Sequence, residues 1–240
     1  MHIAFSMKEL GDISYFLGIS VHSTSQGYFL SQQKYATELL QRVGMVECKP
    51  CSTPLVLKSS HSSSSDDLPY SNPSFYKSLV GALQYLTIIR PDLALAVNQA
   101  CQYMQAPTLG NFVMVKRLLR YVEGTLHHGL TFSPGPFSLH AYSDSNWVGD
   151  YVDRRSTSGF CVFLGPNLIS WSTRKQPTVS RSSTEAEYRS MANTATELVW
   201  LQQLLKTYLF LAILLWFFGV TTFLQWNWLL ILYSTLATNI

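Results

Sequence analysis

The feature that most constrains this chain is a loss of charge. From Tyr208 to Ile240, "YLFLAILLWFFGVTTFLQWNWLLILYSTLATNI", no side chain is charged, whereas all 17 Lys/Arg and all 14 Asp/Glu lie at or before Lys206. Such a stretch has three physical readings: a membrane anchor, a buried core, or residues never selected to fold with what precedes them. A bilayer span needs about 20 consecutive apolar residues. The run from Tyr208 to Val220 stops short of that at Thr221 and Thr222, and extension to Tyr233 brings Gln225 and Asn227 inside. Residues 208–233 can therefore associate with a membrane through their apolarity. An uncharged stretch this apolar inserts or aggregates when exposed.

The rest of the chain is ordinary. Its 240 residues suit one or two domains with a packed core. A net charge of +3 is compatible with a nucleic-acid partner without arguing for one. Cys48, Cys51, Cys101 and Cys161 are too few and too scattered for a disulfide framework. Cys48 and Cys51 form a C-x-x-C, but no second ligand pair follows at zinc spacing. The start, "MHIAFSMKELG", has no apolar signal core, so the residues before the tail read as a reduced, intracellular protein.

Along the chain, residues 12–30 predict two strands around a Ser/Gln/Gly turn, and "SQQKYATELLQRVGM" a helix with Tyr35, Leu39 and Val43 on one stripe, ending at Gly44. A Ser/Pro-rich linker follows, containing "SSHSSSSDDLP". Its adjacent acids, Asp66 and Asp67, read as solvated. Three helical segments come next. Pro91 suits a first turn, and Leu93, Val97, Ala100 and Met104 make one stripe. In "NFVMVKRLLRYVEGTL", Met114, Leu118 and Val122 share one side while Lys116, Arg117 and Arg120 share another. That basic face either contacts phosphates or is simply solvated. From Leu139 the pattern turns to strands, "LHAYSD", "GFCVFLG" and "NLISWST". A long helix then carries Tyr188, Met191, Ala195, Leu198 and Leu205 as its expected buried stripe. Three strands and a covering helix make an α/β (α+β) layer whose first strand ends in Asp144.

Asp144 at a strand end and Glu185 in a helix's first turn can converge on a hard divalent cation such as Mg2+. The competing reading is equally concrete. Ser182 and Glu185 form an S-x-x-E capping box, as do Thr184 and Glu187, and Asp144 can simply end a strand. Two carboxylates also leave a two-metal site short of ligands.

"AYSDSNWVGDYVDRRSTSGFCVFLGPNLISWSTRKQPTVSRSSTEAEYRSMA" closely resembles the ribonuclease H domain of copia-type retrotransposon Pol polyproteins. Upstream, "MKELGDISYFLGISV", "GYFLSQQKYATELL", "YKSLVGALQYLTIIRPDLALAVNQACQYMQAP" and "VKRLLRYVEGTLHHGLTF" resemble the end of the same polyprotein's reverse transcriptase and its connection. The resemblance runs from Phe5 to Leu205 in the family's order. It implies that Asp144 and Glu185 are the first two ribonuclease H carboxylates, binding Mg2+ while water attacks the RNA strand of an RNA–DNA hybrid. It also implies that Lys116, Arg117 and Arg120 face nucleic acid, and a cytoplasmic or nuclear location.

The departures from the family pattern are specific. The Tyr-Val-Asp-Asp strand that holds the polymerase metals belongs upstream of "MKELG". The family's second acid in "SDxDW" is Asn146 here, and the third ribonuclease H carboxylate belongs to a Cys-Asp-Asn strand after the long helix, where the apolar tail stands instead. The tail is compatible with that strand read in another frame. Phe218 to Thr222 can be encoded TTT GGT GTG ACA AC, which read out of register contains TGG TGT GAC AAC, Trp-Cys-Asp-Asn. Leu229 to Asn239 is likewise compatible with Ala-Ser-Asn-Pro-Val-Phe-His-Ser-Arg-Asn-Lys, similar to the family's next segment. A frameshift between Leu205 and Leu209 accounts for both.

The expected organisation is a reverse-transcriptase end at 1–57, a linker at 58–74, a helical thumb- or connection-like region at 75–133, a truncated ribonuclease H-like mixed sheet with one long helix at 138–206, and an apolar, helical, out-of-frame tail at 207–240. The expected chain is inactive, with residual Mg2+-dependent ribonuclease H activity or a membrane-associated nucleic-acid-binding remnant as the alternatives.

Overall fold

The computed structural model describes residues 13–55, 66–150 and 153–217, with α5 described beyond Tyr208 by its backbone alone. Within them lie two antiparallel sheets and five α-helices, a mixed α/β fold.

The N-terminal sheet begins with β1 (Tyr15–Phe16), β2 (Ile19–Thr24) and β3 (Gly27–Ser31), joined by two-residue turns. Leu17 and Gly18 both have positive φ, 45° and 71°, as a tight hairpin with native twist demands. The Tyr85 hydroxyl donates to Leu17 O and holds that turn. A fourth strand, β4 (Gly129–Phe132), pairs with β3 from about a hundred residues downstream and was not expected from the sequence. The two chains approach closely. A Cβ on Gly129 would lie 2.1 Å from Leu30 O, and one on Gly27 would lie 1.9 Å from Phe132 O. Only glycine fits at either end of this ladder.

Between these strands lie α1 (Gln33–Arg42), α2 (Pro73–Leu86), the 3-10 turn Pro91–Leu93, α3 (Ala94–Gln102) and α4 (Leu109–Gly124). Their ends follow local chemistry. Gly44, at φ +65°, lets the chain leave α1, and the Met45 amide donates back to Leu40 O. Asn72 caps α2 ahead of Pro73, and Thr108 and Asn111 form a reciprocal capping box on α4. The apolar faces of these helices meet in one core that includes Leu39, Leu40, Tyr76, Leu83, Val97 and Leu118, all essentially excluded from water. The expected stripe of α3 is borne out at Leu93, Val97 and Ala100, with Met104 packing beside the core. On α4, Val115 and Leu119 join Leu118 and Val122 inside. Asp66, by contrast with its solvated reading, abuts α4: its carbonyl accepts from the Gly110 amide at 3.0 Å.

A buried cation pins this core. The Arg90 side chain donates to Thr125 O at 2.9 Å, to Thr125 Oγ1 at 2.7 Å, and through two bonds to the Asp92 carboxylate. The Tyr121 hydroxyl donates to the same carboxylate at 2.9 Å. The segment after α2 is thereby tied to the end of α4.

The second sheet contains β5 (Leu139–Asn146), β6 (Thr157–Leu164) and β7 (Asn167–Lys175) in that spatial order, covered by α5 (Ser183–Phe217). The expected mixed sheet is not seen among the described residues: both ladders of this sheet are antiparallel because its strands follow one another directly in the chain. The stripe expected on α5 is also corrected. Tyr188 and Met191 are exposed, whereas Ala186, Ser190, Thr194 and Leu201 face the sheet. Small residues let the helix come close, and their hydroxyls are bonded: Ser190 Oγ donates to Asp144 O at 2.9 Å, and Thr194 Oγ1 to Ser190 O at 2.8 Å.

At 35 residues α5 is about 52 Å long, against about 30 Å for the strands beneath it. Past Leu201, its last buried residue among those described, the helix outruns the strands, and Trp200, Leu204 and Tyr208 are about half exposed. Helix thus continues to Phe217; the remainder of the apolar tail, including most of 208–233, lies outside the described residues. Among those described, no helix is long and apolar enough to cross a membrane, so the membrane expectation gains no support.

The two halves meet through specific bonds. Trp171 Nε1 donates to Thr87 O at 3.0 Å, and Asn167 exchanges hydrogen bonds with the Ser133 backbone. A crevice of about 390 Å³ runs between α2–α3 and β7, lined in part by Ile88, Asn98 and Trp171.

The Arg90 cluster generates a stability prediction. Burial opposes the charged form of Asp92, but the Arg90 bonds and charge and the Tyr121 hydroxyl outweigh it, holding the carboxyl below its ordinary value. A carboxyl depressed in the folded state stabilises above its unfolded pKa and loses that contribution as pH falls through its folded value. Asp92→Asn should cost about 1–3 kcal/mol at neutral pH, since it leaves a buried guanidinium under-paired. Urea unfolding at several pH values should show the gap between wild type and variant closing below about pH 4. A gap that persists at acid pH contradicts the ion-pair account.

Candidate active site

Asp144 lies near the C-terminal end of β5, opposite Gly159 of β6, and is exposed. Among the described residues its carboxylate makes no hydrogen bond or ion pair, so its oxygens are available to a ligand.

Glu185 sits otherwise. One carboxylate oxygen accepts from the Arg181 amide at 2.7 Å, and the other takes two bonds from the Arg189 guanidinium at 2.7 and 3.2 Å. The Glu185 amide in turn donates to Ser182 Oγ at 3.1 Å, completing the S-x-x-E cap. The Arg181 amide and then Arg189 hold its carboxyl below the usual range. The structure thus fits the capping reading of Glu185 and gives both its oxygens partners. Nothing here brings Glu185 against Asp144.

Glu187, two residues on, reaches the strand. Its Oε1 accepts from the Ser145 amide at 3.3 Å, immediately beside Asp144. Sequence reasoning placed Glu187 only in a second capping pair. A signal for it was present, because alternate positions on a helix face different ways and only one of Glu185 and Glu187 can turn to the sheet.

Neighbouring polar groups are engaged elsewhere. Asn146, at the position of the family's second acid, accepts from the Thr157 amide at 2.8 Å. Lys175 Nζ binds Asp150 at 2.5 Å and Asp153 at 2.8 Å, tying the β5–β6 connection to β7. Burial works against that ammonium, but the two carboxylates more than offset it and raise its pKa. Among the described residues no group of three or more His, Cys, Asp or Glu side chains can hold a metal ion, at the Cys48/Cys51 pair or elsewhere. The donors around Ser145 are two carboxylates, Asp144 and Glu187, oxygen ligands of the type hard cations take but fewer than a two-metal set requires.

The basic residues of α4 divide by role. Arg117 donates to Thr53 O at 3.1 Å and Thr53 Oγ1 at 2.7 Å, and Arg120 Nε to Lys49 O at 2.6 Å. Both fasten the segment after α1 onto α4. Lys116 is exposed, with its ammonium 4.9 Å from the centre of the Phe112 ring. The crevice between the two halves contains none of these carboxylates.

Comparison with known proteins gives this arrangement its family. The reverse transcriptase (RNA-dependent DNA polymerase) family profile matches residues 1–57. An uncharacterized mitochondrial protein of Arabidopsis thaliana, AtMg00810, is 55% identical over 197 residues, 82% of this chain and 81% of that protein. The retrovirus-related Pol polyprotein from transposon RE2 of the same plant is 49% identical over 203 residues, 84% of this chain. That from transposon TNT 1-94 of Nicotiana tabacum is 34% identical over 211 residues, 85% of this chain. The chain spans only 14% of the RE2 polyprotein and 16% of the TNT 1-94 polyprotein. No solved structure matches. The chain belongs to the copia-type retrotransposon Pol family and corresponds to a fragment of such a polyprotein.

Proposed function

We propose that residues 138–206 are a truncated ribonuclease H half-site that no longer cleaves RNA. The observation that carries this reading is the bond between Glu187 Oε1 and the Ser145 amide, which sets a helix carboxylate beside the strand residue Asp144. In this reading Asp144 and Glu187 would hold one Mg2+, and Glu185, the helix carboxylate implied by the family resemblance, would steady the helix start instead. When bound, Mg2+ would supply a Lewis acid for phosphodiester hydrolysis. The residues themselves would do less. Asp144 would offer hard oxygen ligands, Glu187 would share its carboxylate between the Ser145 amide and the ion, and no third carboxylate would complete the set.

The apolar tail, whose first residues continue α5 to Phe217, stands in sequence where the family's third carboxylate strand belongs. Its shadow reading as Trp-Cys-Asp-Asn supports an origin in coding DNA translated out of register. Nucleic acid remains the partner class that the family and the basic α4 surface favour, with an RNA–DNA hybrid as its specific form.

Two measurements test this. Purified full chain with a labelled RNA–DNA hybrid and Mg2+ should show no cleavage above background; cleavage that Asp144→Asn abolishes would overturn the inactive reading. In hybrid-binding titrations at several salt concentrations, Lys116→Ala should reduce the salt slope by about one phosphate contact without lowering stability. An unchanged slope removes this face from the interface. Arg117 and Arg120 are poorer probes, since their loss also releases residues 49–53.

A further inference from the structure

Gln176, just past the end of β7, is a buried side chain with one polar job to explain. Only 3% of its surface is exposed. Its amide nitrogen donates to Ser158 Oγ at 2.8 Å, to Ala186 O at 2.9 Å, and more loosely to Ser145 Oγ at 3.3 Å. Its amide oxygen accepts from Ser180 Oγ at 2.7 Å, and its backbone amide donates to Ser156 O at 2.8 Å. The orientation is fixed by chemistry: a carbonyl only accepts, so the nitrogen must face Ala186 O.

These partners are not scattered. Ser145 directly follows Asp144, and Ala186 lies between Glu185 and Glu187. One side chain therefore bridges the two elements that bear the carboxylates, with β6 as a third anchor through Ser158. We infer that Gln176 is a positioning residue, whose amide sets how closely the first turns of α5 approach the Asp144 end of β5. This rests on the reading that Asp144 and Glu187 form the cation-binding pair, and it assigns the geometry of that pair to a group that touches neither carboxylate.

A generic packing role predicts a different outcome from a positioning role. Losing packing alone loosens the whole sheet. Losing the bridge frees the Ser145 amide from Glu187 while the middle of the β6–β7 ladder, remote from Gln176's bonds to Ser156 and Ser158, stays protected.

The test uses the full chain with Gln176→Met, which keeps length and bulk but removes the amide, and with Ser170→Ala as a control. Ser170 Oγ donates to Glu197 at 2.8 Å, a further side-chain bond between sheet and α5, ten residues along the helix from Glu187. Amide hydrogen exchange should speed up by about tenfold at Ser145 and residues 184–188 in Gln176→Met, the loss of roughly one net hydrogen bond. Residues 160–163 and 168–172 should keep their protection, and Ser170→Ala should leave Ser145 unchanged. Binding of Mn2+ alone should weaken about fivefold in Gln176→Met, consistent with a displaced carboxylate.

Wild-type protection at Ser145 in Gln176→Met overturns the inference, as does a uniform loss across the sheet or Mn2+ binding that does not change. If Gln176→Met fails to fold, Ser180→Ala decides. It frees only the amide oxygen, and should raise exchange at Ser145 and residues 184–188 in the same pattern by about twofold; no local change overturns the inference. If wild type binds no Mn2+, the cation-pair reading fails, and exchange at Ser145 still decides the role of Gln176.

Discussion

The C-terminal half of this protein depends on a polar contact between helix and sheet. α5 lies against β5–β7 on Ala186, Ser190 and Thr194, residues too small to build a thick apolar layer. Across the interface the Ser190 hydroxyl donates to Asp144 O and the Gln176 amide to Ala186 O, while the Thr194 hydroxyl donates back to Ser190 O within the helix. Net, each such bond contributes only about 1 kcal/mol, but an unmet partner costs more than a met one gains. The interface therefore specifies one register of helix on sheet rather than supplying bulk stability. The N-terminal half is built the other way. Its helices enclose a dry core around Tyr76, Leu83 and Leu118, where burial of apolar surface supplies the driving force.

That division explains what the helix register does for the site. If the large apolar residues of α5 faced the sheet, the Glu185–Glu187 turn would rotate with them. With Ala186 and Ser190 inward, Glu187 comes to the edge of β5 and Glu185 turns to Arg189 and the Arg181 amide. The neighbouring acids Asp150 and Asp153 are drawn to Lys175. Asp144 is the carboxylate in this region left without a partner among the described residues.

Much of this was legible in the sequence, and the misses have physical causes. The β2–β3 hairpin, the helix stop at Gly44, the Pro91 turn and the three strands from Leu139 all followed from turn chemistry and periodicity. β4 did not, because "GLTF" is short and its partner lies far upstream, where no local pattern points. The inward face of α5 was misread because periodicity weights large apolar residues, whereas close helix–sheet contact favours Ala, Ser and Thr. That same error hid Glu187, since the rotation of the helix decides which carboxylate meets the strand. Arg117 and Arg120 read as a basic face from spacing; that both would fasten the chain near Lys49 and Thr53 required tertiary contacts to see.

The tail returns to the loss of charge at Lys206. Helix continues across that boundary to Phe217, so nothing in the backbone marks the change of composition. The central claim, that a ribonuclease H site lost its third carboxylate to a shift of reading frame, concerns nucleotides more than folding. Sequencing the genomic DNA and transcript under residues 205–222 tests it most directly. The account predicts that the neighbouring frame under Phe218 to Thr222 encodes Trp-Cys-Asp-Asn, continuous with the frame that encodes the chain before Leu205. A third-base pattern that cannot encode those residues would contradict it.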